Sequence, residues 1–556
     1  MSTLTAIIIS VATTLFSLSP NNGVDRTNDL RTILSSCKET EGQKTVIFAP
    51  GRYDFYVENS TKKEIFVSNT SSEKEEPDKT KNIGIWIDGI SDLTMKGEGA
   101  TLVFHGDMTP IAINGSSNIR LEGFEIDFLR PGGSEITFVA QDAEGTVCRL
   151  HEDSWYEIRD KQIYLVGEGW TSKVFHCIKY NPEDGHFTYS GDWNILNRSE
   201  ATEISKGLVR FRTPEDFKAQ IGATLTVRDR IRRQVGTLIH YSKDITLAGM
   251  HYRYMHGLGV ISQYTDGVNI LGCEFAASKE SGRILASSAD FLHFSGCSGH
   301  IEVRDSYFCG AQDDCINVHG TNLKTIQTEG RDKIRVRFMH HQSYGFRAYS
   351  PGDTVAFVHP DAMVRYSKAV VKDVQRLDDY ESIVTLDRKL PKGLRAGADC
   401  LENLSCTPSL HVSGCTFTRT STRGILCTTP RKVVIENNRF FKTGMSGVLI
   451  ESDAKEWFES GPVTDVTIRN NSFEDCAFNG GPDHAMIGIN PSNTLVGKKY
   501  PVHRNIRIEG NSFILNGSPA LSAKSVRGLV FKGNKIDGPR ERTVILYGCS
   551  ATEISE

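Results

Sequence analysis

Apolar residues alternate in short bursts along most of this chain, and each burst ends the same way. Two apolar positions one residue apart are followed by Gly or Asn, then Asn or Cys, then a variable residue and Phe. The pattern recurs at 268–275, 410–417, 433–440, 466–473, 506–513 and 529–536, with weaker copies at 119–126, 245–252 and 301–308. The last positions step by 23 residues from Tyr252 to Phe275, from Phe417 to Phe440 and from Phe513 to Ile536. Alternation with a repeat of that length predicts strands stacked coil on coil, a parallel β-helix, with longer steps where loops are inserted. Asn438, Asn471, Asn511 and Asn534 share one slot, with Cys273 and Cys415 in its equivalents. Stacked amides can hydrogen-bond from coil to coil, so a buried asparagine ladder is expected there.

Residues 25–37 carry Leu30, Ile33 and Leu34 behind Asn28, which predicts a short amphipathic helix with Asn28 as N-cap. Such a helix would cover the open end of the solenoid, where strand edges need hiding. The apolar run from Ala6 to Phe16 is too short to span a bilayer. It suits either the core of an export signal or a first strand at Ile7 to Val11.

The repeat lapses twice. Between 131 and 235 short alternating segments such as Glu135 to Val139 predict an inserted small β-barrel or sandwich, and 322–405 predicts a second. The implied division is 1–20 as signal remnant or first strand, then 21–130, 236–321 and 406–556 as β-helix, with the two insertions between. The loop after Phe275, with Lys279, Glu280 and Arg283, and the expansion after Gly447, with Glu451, Trp457 and Phe458, enlarge the same region. Loops growing around one patch of a rigid stack make a pocket.

Net charge −4 and pI near 6.5 give no basic excess, so nucleic acid is not an expected partner. No segment has transmembrane length. The thirteen cysteines are odd in number and several occupy repeat slots, which reads as buried small side chains rather than a disulfide framework.

Chemistry concentrates at Asp290 and at Gln312-Asp313-Asp314-Cys315, one repeat later. Aligning strand starts by their apolar pairs puts Gly259, Asp290, Asp314, Gly424, Gly447 and Ala485 in one column and Ala289, Asp313 and Arg423 in the column before it. Stacked carboxylates repel and couple their titration, which suits acid–base work at a glycosidic bond. Asp313 is assigned as general acid, with Asp290 and Asp314 holding and deprotonating water. Arg423, His319, Glu451 and Trp457 are candidate sugar contacts, each also readable as an ordinary structural residue. No ordered run of alternating ligands points to Ca²⁺, so no metal or cofactor is expected.

Asp313-Asp314 with Asp290 upstream resembles the β-helix polygalacturonases, but Ser288-Ala289-Asp290 replaces their Asn-Thr-Asp, and their Gly-His-Gly and Arg-Ile-Lys motifs do not occur. That departure favours a neutral sugar. The whole layout is closer to glycoside hydrolase family 110, the α-1,3-galactosidases. This resemblance implies a right-handed parallel β-helix with two barrel-like insertions, and Asp290, Asp313 and Asp314 as catalytic residues. It further implies metal-independent, inverting, exo-acting removal of terminal galactose from blood-group-B or linear Galα1-3Gal glycans, by an exported bacterial homodimer. A polygalacturonase-like hydrolase and a non-catalytic carbohydrate-binding β-helix are the alternatives.

Overall fold

The computed structural model describes residues 13–172, 175–229, 231–481, 484–539 and 543–555. Strands stack in parallel along a single β-helix. Val268, Ile301, Leu410, Val433, Val466, Ile506 and Leu529 succeed one another in register, and all are buried. The closing aromatic of each repeat continues the order as a column of parallel rings. Centroids are 5.1 Å apart from Tyr252 to Phe275, then 4.9, 4.9, 4.8, 4.7 and 5.0 Å through Phe308, Phe417, Phe440, Phe473 and Phe513. That spacing is the interstrand distance itself, about 4.8 Å.

The asparagine ladder runs beside the rings. Asn438 Nδ2 donates to Asn471 Oδ1, Asn471 to Asn511 and Asn511 to Asn534, each at 3.0 Å, and each Oδ1 also accepts the backbone N–H of the coil above. Cys415 N–H tops the run at 2.9 Å from Asn438 Oδ1. All thirteen cysteines are free thiols and ten are buried, as packing residues should be.

The helix spans Thr27–Glu39 and buries Leu30, Leu34 and Cys37 on one face against the first coils. Its cap differs from the sequence expectation. Asn28 lies inside the first turn, and it is Asp25 whose carboxylate accepts the Thr27 N–H at 2.8 Å and its hydroxyl at 2.5 Å. The N-cap position itself is Arg26, which makes no side-chain cap bond, and Asp25 takes one free amide from the residue before it. A strand at Thr14–Leu18 pairs with Lys44–Phe48. The possible strand or signal core at Ile7 to Val11 lies outside the described residues.

The first insertion is a seven-stranded antiparallel sheet from Gly133–Asp142 to Thr224–Asp229, with its own core around Phe138, Trp193 and Phe211. A three-stranded sheet at 156–171 accompanies it. The second insertion closes on itself. Ile316–Thr328 continues out of the helix into a barrel with Lys333–Arg337, Glu381–Leu386, Val364–Arg376, Thr354–His359 and Cys400–Asn403, the last pairing back on the first. Among the described residues no helix is long and apolar enough to cross a membrane.

Candidate active site

Backbone pairing fixes where the three carboxylates stand. Val260, Leu292, Ile316, Ile425 and Val448 are register partners. Two residues earlier in each coil, Leu258, Asp290, Asp314, Arg423 and Ser446 therefore share a column. Asp290 and Asp314 are neighbours, as the repeat predicted, and Asp313 falls beside Ala289. The predicted places of Arg423, Gly259, Gly424 and Gly447 were each one residue early. Gly259 and Gly424 flank Phe291 and Cys315 instead, as the bonds from Val260 N–H to Phe291 O and from Ile316 N–H to Gly424 O require. A one-residue slip exchanges partners across a strand, so Arg423 meets Asp314 rather than Asp313.

That meeting is a two-point ion pair, Nε to Oδ1 at 2.8 Å and Nη2 to Oδ2 at 2.7 Å, with the Arg423 N–H also on Oδ1 at 3.0 Å. Asp314 is only 1% exposed. Burial pushes its carboxyl up to about 6, and Arg423 restrains the rise. Asp313 is the most accessible of the three. Its Oδ2 lies 3.1 Å from Arg232 Nη2, a residue on the segment returning from the first insertion.

Asp290 is wired inward. His293 Nδ1 is 2.7 Å from its Oδ2, His293 Nε2 is 2.9 Å from His319 Nε2, and His319 Nδ1 is 2.8 Å from the Gly320 carbonyl. A carbonyl can only accept, so His319 carries its proton on Nδ1 and accepts at Nε2. His293 then donates from Nε2 and accepts at Nδ1, and the donor it accepts from is a protonated Asp290. Burial favours the same state at both ends. It holds His293 down at about 4, and with the Asp313 charge it pushes Asp290 well above the ordinary carboxylate range, against Arg232 and Arg423.

These groups open into a cleft of about 540 Å³ that also takes in Asn317, Glu451 and Trp457. The expansion after Gly447 builds one wall. Trp457 is 40% exposed and stacks at 3.9 Å on His340 of the second insertion, so the two enlargements meet over the coils. His319 does not line the cleft; it sits behind His293, 1% exposed, with Glu459 at 3.6 Å. Glu459 is itself held by Asn69 Nδ2 at 2.7 Å.

The loop after Phe275 turns elsewhere. Arg283 pairs with Asp127 and Asp153, and Glu135 accepts the N–H groups of Ile284 and Leu285, so this loop braces the first insertion against the coils. Sequence reasoning missed Arg232, His293, Asn69 and Glu459. Only His293, two residues into the strand after Asp290, carried a local signal. Among the described residues no three His, Cys, Asp or Glu side chains group as a metal-ligand set.

Comparison with known proteins assigns the pieces. Residues 134–225 and 333–401 match GLAA-B beta-barrel domains I and II, and residues 403–556 match the right handed beta helix region. Alpha-1,3-galactosidase A of Bacteroides fragilis is 49% identical over 527 residues, 95% of this chain and 87% of that protein. Alpha-1,3-galactosidase A of Bacteroides thetaiotaomicron is 33% identical, over 97% of this chain and 94% of its own. Among solved structures, the Yersinia enterocolitica family 28 exopolygalacturonase is 11% identical with a TM-score of 0.45, covering 98% of this chain and 79% of its own. With two family-specific barrels set into a β-helix and this identity along nearly its whole length, the chain belongs to the α-1,3-galactosidase family of glycoside hydrolases.

Proposed function

We propose that the protein is an exo-acting, inverting α-1,3-galactosidase that removes terminal galactose from blood-group-B or linear Galα1-3Gal glycans. The observation that carries this reading is the placement of Asp290 and Asp314 on adjacent coils with Asp313 projecting beside them into the cleft. Inversion needs a proton donor at the leaving oxygen and a base holding water on the other face of the sugar. Asp313, the accessible member, donates. Asp314 is the base, ionised above about pH 6, with Arg423 fixing its orientation. Asp290 faces the same water and, through His293 and His319, keeps a proton within the trio. Arg232 must release Asp313, and Asp313 must take up a proton from solvent, before that residue can act as an acid; a sugar hydroxyl that accepts the guanidinium's hydrogen bond makes the release possible. Trp457 offers an apolar face for the acceptor sugar. Action on glycans outside the cytoplasm, by a homodimer, belongs to the same reading.

The test is hydrolysis of branched B trisaccharide beside linear Galα1-3Gal, with NMR following the anomer released first. β-Galactose from the wild type and loss of turnover in Asp313→Asn are expected. α-Galactose as the first product would overturn the inverting assignment, and an active Asp313→Asn would overturn the choice of acid.

A further inference from the structure

One outward-facing column of the stack divides into a covered part and an open part. Cys427, Ile450, Ile489 and Ala523 are register partners with buried side chains, so the residue after each, Thr428, Glu451, Asn490 and Lys524, faces out from the coils. His319, Ser295 and Gln263 continue the same column toward the N-terminal coils.

That N-terminal end is sealed. Gln263 is fully buried, its Oε1 accepting the Ser68 N–H at 2.8 Å and its Nε2 donating to the Phe66 carbonyl at 3.0 Å. The same segment carries Asn69, whose carbonyl accepts from Arg232 Nη1 at 3.0 Å and whose Nδ2 holds Glu459 at 2.7 Å. Residues 66–69 therefore tie the coil before Asp290 to the arginine on Asp313 and to the strand beyond Trp457. The cleft has a blind end there.

From Glu451 onward the column is uncovered. Glu451, Asn490 and Lys524 are each half-buried and line the same cleft as the three aspartates. The coil of Lys524 is four beyond that of Asp314, an axial distance of about 19 Å at about 4.8 Å per coil. One linkage does not need that length. Charge along the run is balanced: Glu451 and Glu456 stand against Lys455 and Lys524, and the Asp453 carboxylate is taken up by the N–H groups of Lys455, Glu456 and Phe458. Lys524 Nζ also donates to the Pro491 carbonyl at 2.8 Å. A mixed row of donors and acceptors without excess charge suits the hydroxyl groups of a neutral ligand.

We infer that the cleft is an extended acceptor groove: galactose fills the blind end beside Asp313 and Arg232, and further sugars of a neutral oligosaccharide, beyond the one that carries the scissile linkage, lie along Glu451, Asn490 and Lys524. This rests on the galactosidase reading and adds to it a preference for long glycans.

Titration calorimetry on the full chain carrying Asp313→Asn measures binding apart from turnover. Galα1-3Gal and branched B trisaccharide are compared with the same glycans extended at the reducing end by two neutral sugars. Extension should lower Kd about fivefold or more. Lys524→Met or Asn490→Ala in that background should bring the long and short glycans to within about twofold of each other, and either variant serves if the other does not fold. Equal affinity for short and extended glycans, or a gain from extension that survives the substitutions, overturns the groove and leaves the galactosidase reading standing. Failure of every glycan to bind overturns both.

Discussion

Arg423 grips both oxygens of Asp314, at 2.8 and 2.7 Å, while its own backbone N–H adds a third bond. The pair sits across two coils separated in sequence by the whole second insertion. Arg423→Gln removes the positive charge that restrains the burial-driven rise of Asp314 above its present value of about 6. A base works only when ionised, so its rate falls as pH drops through its pKa. Raising that pKa moves the fall to higher pH. The acidic limb of kcat/KM should shift upward by about one unit or more from a wild-type midpoint near 6. A limb that stays put would separate Asp314 from the rate-limiting proton transfer.

Asp290 makes a prediction about stability. A carboxyl raised on folding binds its proton more tightly in the native state, so its contribution is present at low pH and is lost as pH rises from about 3.8 toward the folded value. Asn in its place donates to His293 Nδ1 without titrating. Asp290→Asn should therefore melt close to wild type near pH 4 and progressively above it as pH rises, while hydrolysis is lost. Parallel melting curves across that range would refute the protonated form assigned here.

Asn471 sits mid-ladder, donating to the Ile435 carbonyl and Asn511 and accepting from Asn438. Asn471→Ala orphans buried groups on both sides, at about 3 kcal/mol in all. Urea denaturation should show a lowered midpoint, with kcat of the folded protein little changed because the coil that carries Arg423 stands two coils from that of Asn471.

Trp457 separates binding from chemistry. Trp457→Ala should raise KM roughly tenfold, about 1.4 kcal/mol, and leave kcat within about twofold if the ring holds the acceptor sugar equally in ground and transition states. A fall in kcat with KM unchanged would instead assign it to positioning the reacting bond.

The 23-residue step made the coils legible, because a strand in this fold can pair only with its own repeat. That step brought the ladder to Asn438 and the rings to Phe440, while the apolar pairs beside Asp290 and Asp314 matched those two across an interval of 24 residues. Arg423 was misplaced by one residue since the apolar pairs after a long insertion do not mark register as sharply as the backbone bonds do. Arg232 and Asn69 were invisible for another reason. Both lie on connecting segments with no repeat to index them, and only tertiary folding carries them to the carboxylates.

The separation of Asp290 from Asp314 is the pitch of the coil stack, not a product of side-chain fitting. Backbone amides set that interval, and it is the same from one end of the column of rings to the other. Repacking the interior can loosen or tighten the molecule without respacing the pair. New sugar preferences can therefore be acquired by rebuilding the rim, from Glu451 to Trp457 and in the second barrel, while the interval between the two carboxylates is inherited unchanged.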